Sequence, residues 1–186
     1  MNKQTGQPAS AYFLEERKDP IEAHTLSIIV DNEPGVLARV IGLFSGRGYN
    51  IESLTVSETE HEKHVSRITI VTRGTPMVLE QIKSQLERLV PVHSVADLTV
   101  TGNAVERELA LVKVEGVGEH RVEALRMAEA FRARIVDTTN TSFVFELTGK
   151  TAKVEQFISL MRPLGLREVV RTGIAAISRG AEALKF

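Results

Sequence analysis

The chain has 186 residues, 42% of them hydrophobic, a formal net charge of −1 and no cysteine. This length suits one or two small globular domains, and the near-zero charge argues against a dedicated nucleic-acid-binding protein, which usually carries a basic excess. The absence of cysteine excludes disulfides, thiolate catalysis and cysteine metal sites. No stretch approaches the roughly 20 apolar residues of a membrane-spanning helix, and the first residues lack a secretory signal pattern. We therefore expect a cytoplasmic protein with no membrane partner.

Residues 1–22 differ in composition from the rest of the chain. The segment MNKQTGQPAS is polar and turn-prone, and only a small apolar patch follows it, formed by Tyr12, Phe13 and Leu14. We expect a flexible N-terminal extension, within which a short helix can dock locally.

From His24 onward, strand and helix periodicities alternate. HTLSIIVD reads as a strand with Leu26, Ile28 and Val30 on one face, and NEPG interrupts it. A helix is then predicted from apolar residues at helical spacing, with two glycines expected to end it (Val36, Leu37, Val40, Ile41, Phe44; Gly46, Gly48). Two strands follow, YNIESLTVSET and VSRITIVTR, with a turn at HEKH between them. A helix capped by Thr75 and Pro76 and a strand at VHSVADLTV complete the unit; the apolar positions of this helix are Leu79, Ile82, Leu86 and Leu89.

The order of these elements is βαββαβ, a ferredoxin-like unit that we place at residues 23–101. The same order recurs in residues 102–186, with the boundary near TGNAVERE. A strand over Leu109 to Val114 comes first, then a helix, a hairpin around Asn140 and a second helix with Val154, Phe157, Ile158 and Met161 at helical spacing. REVVRTGIAAIS closes the unit as a strand. The predicted fold class is α+β, with two βαββαβ units.

A sheet of this order packs both helices on one face and leaves its other face open. Ile29, Val71 and Val112 are expected on that open face, where several apolar residues together suggest a partner surface. We therefore predict a homo-oligomer that uses the helix-free face and the edge strands.

The stretch Asp31-Asn32-Glu33-Pro34-Gly35-Val36-Leu37 joins a strand to a helix N-terminus. Unpaired N–H groups and the positive end of the helix dipole favour an anion there, and glycine lets a ligand approach the backbone. The amide of Asn32 can donate and accept hydrogen bonds, which suits the carboxylate and ammonium of a zwitterion. An ordinary helix N-terminus with a capping Asn is the alternative, and local chemistry alone favours it.

The other candidate sites are weaker. Gly116-Val117-Gly118-Glu119-His120-Arg121 resembles half of a dinucleotide fingerprint but has Arg121 at the third glycine position, so we interpret it as a structural turn. His61 and His64 have a chelating spacing but no further ligand, and a solvated turn is favoured. His24, His93 and His120 look isolated, and no nucleophilic serine or carboxylate pair stands out. Nothing in the sequence supports an enzyme.

The segment DNEPGVLARVIGLFSGRGYNIESLTVSET resembles the first half of an ACT domain, and the strings VIGLFS and RGYNIESLTV resemble specifically the small regulatory subunit of acetolactate synthase (acetohydroxyacid synthase). VSRITIV, VLEQIKSQLERLVPV, ERELALVKV and GIAAISRG agree with this family. The resemblance covers roughly residues 24–180.

The resemblance implies a non-catalytic subunit that activates a thiamine-diphosphate-dependent partner and makes it sensitive to feedback inhibition by valine. The first unit would be an ACT domain that binds the effector and dimerises, and the second a C-terminal regulatory domain. No cofactor is expected in this chain, whereas thiamine diphosphate, Mg²⁺ and FAD are expected in the catalytic subunit.

In such families the effector lies between two protomers. Carried over by motif position, the expected effector-binding residues are Asn32, Pro34, Gly35, Val36 and Leu37 of one protomer and Asn50 and Ile51 of its neighbour. Ser57, further along the same strand as Ile51, is expected to support these residues without touching the effector. Valine is the expected effector, with leucine or isoleucine as weaker ligands.

Two other functions compete with this interpretation. The first is an ACT-type sensor that controls transcription or another enzyme, but the sequence contains no helix-turn-helix pattern or basic helix. The second is an enzyme in its own right, which the missing catalytic motifs disfavour.

Overall fold

The computed structural model describes residues 20–60, 62, 64–100, 102, 104–181, 183 and 184. Of the expected N-terminal extension, residues 1–19 lie outside the described residues.

The first unit has the predicted βαββαβ order. It consists of β1 (Glu22–Asp31), α1 (Val36–Arg47), β2 (Ile51–Glu60), β3 (Val65–Gly74), α2 (Pro76–Leu86) and β4 (Val92–Asp97). The four strands form an antiparallel sheet in the order β2-β3-β1-β4, so β2 and β4 are its edges. Helix α1 continues through Gly46 and ends at Gly48, whose φ of 70° closes it, while Leu89 lies beyond the end of α2.

The second unit repeats this order and adds one strand. It consists of β5 (Ala104–Glu115), α3 (Gly118–Phe131), β6 (Arg134–Thr138), β7 (Ser142–Gly149), α4 (Thr151–Met161), a 3₁₀ turn (Arg162–Leu164), β8 (Leu166–Arg171) and β9 (Ala175–Ser178). Its main sheet has the order β6-β7-β5-β8, whereas β9 pairs with the first residues of β5. The closing segment, predicted as one strand, is therefore two strands that pair with different parts of β5.

Each unit has its own core between its sheet and its helices. The first contains the predicted strand residues and the apolar positions of both helices (Leu26, Ile28, Val30, Val36, Val40, Phe44, Ile68, Ile70, Ile82, Leu86). The second is richer in aromatic rings (Ala110, Val112, Val114, Ala124, Ala128, Phe143, Phe145, Leu147, Val154, Phe157, Ile158, Met161). The periodicity of the sequence therefore identified the inner faces of α2 and α4 correctly. In α1 the predicted position Leu37 is exposed, and in α3 Val122 is 57% exposed, so the apolar spacing of these two helices includes outward positions.

The predicted apolar surface on the helix-free face was wrong. Val112 lies in the second core beneath the helices. Ile29 and Val71 do lie outside the first core, but only 0% and 6% of their surface is exposed. They therefore do not form an exposed patch.

The second unit contacts the helix-free face of the first sheet. The Ser53 hydroxyl accepts a hydrogen bond from the Ile174 N–H (2.9 Å), and the Thr55 hydroxyl donates to the Ile174 carbonyl (3.0 Å). Near β1, the Thr25 hydroxyl donates to a carboxylate oxygen of Glu106 (2.7 Å). The segment between β8 and β9 and the start of β5 thus bind the two units together.

Candidate functional site

The loop between β1 and α1 begins where β1 leaves the sheet. The backbone N–H of Asn32 donates to the carbonyl of His64 (2.7 Å), which attaches the loop to the turn between β2 and β3. Gly35 is the N-cap residue of α1, with φ 87° and ψ −8°, and no side chain of the described residues caps the helix. The alternative of a capping Asn is therefore wrong, since Asn32 lies three residues before the cap.

The cap leaves the first turn of α1 open to a ligand. The N–H of Val36 donates to the Glu33 carbonyl (3.3 Å), and the N–H of Arg39 donates to the Gly35 carbonyl (3.0 Å). The N–H groups of the two residues between them belong to the first turn, where the helix itself provides no acceptor. In the part of the chain that the structure describes, a Cβ at Gly35 would meet nothing within 4 Å, so these residues leave the space above the cap open. This arrangement can accept a carboxylate through backbone donors and the helix dipole.

The side chains of the predicted loop residues point in different directions. Asn32, Pro34 and Leu37 are exposed, whereas Val36 is 4% exposed and packs in the first core. Val36 can therefore reach a ligand only through its backbone.

Asn50 and Ile51 lie at the opposite end of the same sheet. Ile51 pairs with Thr72, which pairs with His24 near the start of β1, whereas the loop follows Asp31 at the end of β1. Seven residues of β1 separate these two levels, about 23 Å at 3.3 Å per residue. One chain therefore does not bring the two predicted halves of the site together.

A side-chain hydrogen bond fixes the backbone at Asn50, and strand pairing fixes it at Ser57. The Thr72 hydroxyl donates to the Asn50 carbonyl (2.6 Å), which restrains the start of β2. Ser57, exposed on β2, pairs with Arg67 on β3 at an intermediate level of the sheet.

Two histidine–carboxylate pairs are present that the sequence pattern does not predict. His93 Nε2 lies 2.6 Å from Asp31 Oδ1 beside the loop, and His24 Nδ1 lies 2.6 Å from Asp97 Oδ2 in a buried position. The prediction that His24 and His93 are isolated is wrong. Both pairs join β1 to β4, so the antiparallel pairing of these strands was the signal that could have indicated them.

The remaining motifs take structural positions. Gly118 begins α3 with φ 58°, and the Arg121 guanidinium lies 3.9 Å from the centre of the Phe143 ring, a cation–π contact.

His61 lies outside the described residues. Within the described part of the chain, no three His, Asp or Glu side chains are grouped to hold a metal ion, and no helix is long and apolar enough to cross a membrane.

A polar cleft of about 600 Å³ lies between the two units. On one side, Arg73 Nε lies 2.8 Å from Glu52. On the other, the buried carboxylate of Glu108 accepts hydrogen bonds from the Nε and Nη2 of Arg171, the latter at 2.9 Å. Its hydrogen bonds to Arg171, with a smaller contribution from Thr151, hold the pKa of Glu108 below its ordinary value. The strand register was needed to find this pair, because the sequence separates its members by 63 residues.

Comparison with known proteins agrees with the two-unit architecture. Residues 26–94 match a family model described as the AHAS small subunit-like ACT domain, and residues 107–180 match one described as the small subunit of acetolactate synthase. A protein of Archaeoglobus fulgidus named probable acetolactate synthase small subunit is 48% identical over 157 residues, which are 84% of this chain and 97% of that protein.

The chain belongs to the acetolactate synthase small-subunit family. The isozyme 3 small subunit of Escherichia coli is 45% identical over 161 residues, 86% of this chain and 98% of its own. The crystal structure of the small subunit from Thermotoga maritima superposes with a TM-score of 0.79 at 39% identity and covers 87% of this chain and 99% of that one. The family resemblance and the predicted fold class are therefore confirmed. As a member of this family, the chain is a regulatory subunit without a catalytic site of its own.

Proposed function

We propose that the chain activates the catalytic subunit of acetolactate synthase and makes it sensitive to inhibition by valine, which binds at a site shared by two copies of the ACT domain. The observation that carries this proposal is the open N-terminus of α1 at Gly35, beside the exposed amide of Asn32. The carboxylate of the amino acid would accept from the first-turn N–H groups, and Asn32 with nearby carbonyls would bind its ammonium group.

The positions of Asn50 and Ile51 support a site made by two copies. β2 is an edge strand, and its last residue, Glu60, lies at the same level of the sheet as Asp31, just before the loop. If the outer edges of β2 from two copies pair antiparallel, the start of one β2 meets the end of the other. Asn50 and Ile51 of one copy then approach the loop of its partner, and a twofold axis creates two such sites.

The expected selectivity follows from an apolar pocket. Leu37 and Ile51 would surround the isopropyl group of valine. One methylene changes affinity by about 1–3 kcal/mol, so leucine and isoleucine should bind more weakly at the same site. Inhibition requires valine to favour a less activating arrangement of the copies, by a coupling free energy of about 1–3 kcal/mol.

The first experiment is calorimetric titration with valine, combined with an acetolactate assay of the chain mixed with its catalytic subunit. We expect Asn32→Ala and Gly35→Asp to abolish valine binding and valine inhibition while activation persists. Matched controls are Asn140→Ala, an exposed asparagine in the β6–β7 turn, and Gly118→Asp, a glycine with φ 58° and open space at the start of α3. Normal valine binding by the two loop variants would exclude this site.

A mixing experiment tests whether the site is shared. Asn32→Ala and Asn50→Ala chains should each lose valine binding, since each disrupts one half of both sites. After exchange, half of the dimers are mixed and each has one intact site, so about a quarter of the wild-type sites should return. A site within one chain predicts no recovery.

A further inference from the structure

The helices of the ACT domain carry a shallow groove on their outer surface, away from the sheet. It has a volume of about 490 Å³ and lies between α1 and the end of α2. Its floor is Gly42 and Gly46 of α1, and the half-buried Leu43 and Leu89 form part of its walls. We call this surface the α1–α2 groove.

Three exposed arginines surround the groove. Arg39 and Arg47 come from α1 and Arg88 follows α2, and in the described part of the chain none of them forms an ion pair. α1 contains no Asp or Glu at all. Several other arginines are paired, as Arg167 is with Glu115 at 2.7 Å. Among the described residues, the groove is therefore a concentrated positive surface without a counter-ion, which favours an acidic partner.

The packing of the described residues does not require glycine at position 42 or 46. Each lies inside α1, where glycine is less favourable than alanine. A Cβ at Gly42 or Gly46 would meet no described residue within 4 Å, so alanine would fit at both positions. A floor without side chains lets the backbone of another molecule come close to α1, between the arginines.

We propose that the α1–α2 groove is the surface that binds the catalytic subunit, and that its occupant is an acidic segment of that subunit. Carboxylates of the segment pair with Arg39, Arg47 and Arg88, and its backbone packs over Gly42 and Gly46. The half-buried leucines beside the arginines suit a polypeptide, which offers apolar and charged groups together. This inference rests on the proposed function for the identity of the partner.

The location of the groove is compatible with the proposed pairing of two copies. The groove lies on the helix side of the sheet, whereas the contact between copies uses the outer edge of β2. One surface can therefore bind the catalytic subunit while the other joins the copies.

The test compares two triple variants by titrating the purified catalytic subunit and following both complex formation and activation. Arg39→Glu/Arg47→Glu/Arg88→Glu should weaken the complex by about 100-fold or more, because like charges then face the acidic segment. Arg126→Glu/Arg134→Glu/Arg162→Glu makes the same change of charge on exposed arginines of the second unit and should alter the affinity by about threefold or less. As the salt concentration rises, the affinity of the wild-type chain for the catalytic subunit should fall more steeply than the affinity of the first triple variant.

A second variant separates contact from folding. Gly42→Ala/Gly46→Ala should leave the urea midpoint of the chain unchanged or higher, because alanine favours the helix, yet weaken the complex by about tenfold. An unchanged affinity for this variant would contradict the close approach over the glycines.

The outcomes distinguish the two proposals. If the wild-type chain leaves the catalytic rate unchanged, the proposed function fails. If it activates and the arginine variant binds and activates equally well, only the groove assignment fails. If the arginine variant changes the oligomeric state or valine binding of the isolated chain, the groove belongs to the contact between copies and the proposal is overturned.

Discussion

Replacing Arg171 with methionine removes the cation that pairs with the Glu108 carboxylate, and we expect a large loss of stability. Glu108 is 3% exposed and lies on β5, while Arg171 ends the neighbouring strand β8. Removing one partner of a buried ion pair costs about 3–5 kcal/mol, because the other charge stays buried without a partner. Since 35% of the Arg171 side chain is exposed, water can reach the pair, and we expect the lower end, about 3 kcal/mol.

The pH dependence follows from the sign of the pKa change. The hydrogen bonds from Arg171 hold the pKa of Glu108 below its ordinary value, so the pair stabilises the protein above the unfolded-state pKa of about 4.3 and loses this contribution as the pH falls through the folded-state value. Without Arg171, burial raises the pKa of Glu108, and stability decreases as the pH rises above about 4.3. The difference between wild type and variant should therefore be largest near pH 7 and smaller in acid.

Urea unfolding followed by far-UV circular dichroism at pH 7 and at pH 4.5, at one protein concentration, measures both effects. Glu108→Gln/Arg171→Met removes both charges and should recover most of the lost free energy of unfolding at pH 7. A loss below about 1 kcal/mol for Arg171→Met, or an equal loss at both pH values, would refute the reasoning.

Three further changes test the packing of the second unit and its contact with the first. Gly165→Ala should be strongly destabilising, measured by thermal unfolding, because Gly165 has φ 101° and a Cβ there would lie 1.9 Å from the Glu115 carbonyl oxygen. Phe157→Ala should cost about 3–5 kcal/mol of unfolding free energy in urea, since this fully buried ring fills the second core. Gly173→Ala should loosen the two units, because its Cβ would lie 2.7 Å from the Ser53 hydroxyl oxygen, and limited proteolysis should then cleave between the units faster.

Matched controls accompany these variants. Gly180→Ala has a similar φ of 81° but open space, so it should cost much less than the change at Gly165. Val90→Ala removes an exposed side chain and should change stability by less than about 0.5 kcal/mol. Proteolysis of the Gly173 variant at the wild-type rate would contradict the proposed contact between the units.

Much of the fold was accessible from the sequence. Leu26, Ile28 and Val30 alternate as a strand, and Thr75 with Pro76 begins α2 as predicted, with the Thr75 hydroxyl accepting from the Val78 N–H at 3.5 Å. These signals are local, because periodicity and capping depend on residues a few positions apart.

The errors arose where the local pattern was ambiguous. The pattern predicts the wrong face for Val112 because apolar residues occupy both faces of β5 around it. Lys113 and Glu115 mark the outward face in the same strand, so the correct phase was present in the sequence. In contrast, the sequence contains no local signal for the division of the closing segment at Gly173, because this division depends on contacts with Ser53 in the other unit.

The sequence by itself determined the βαββαβ order shared by the two units, the inner faces of α2 and α4, the family and the loop at Gly35, because each depends on short-range patterns or on a recognisable string. Only the tertiary structure decided that Asn50 lies at the far end of the sheet from Asn32, that Glu108 is buried against Arg171, and that the helix-free face is partly covered by the second unit. Strand order and register bring together or separate residues that are distant along the chain, and no local pattern encodes those distances.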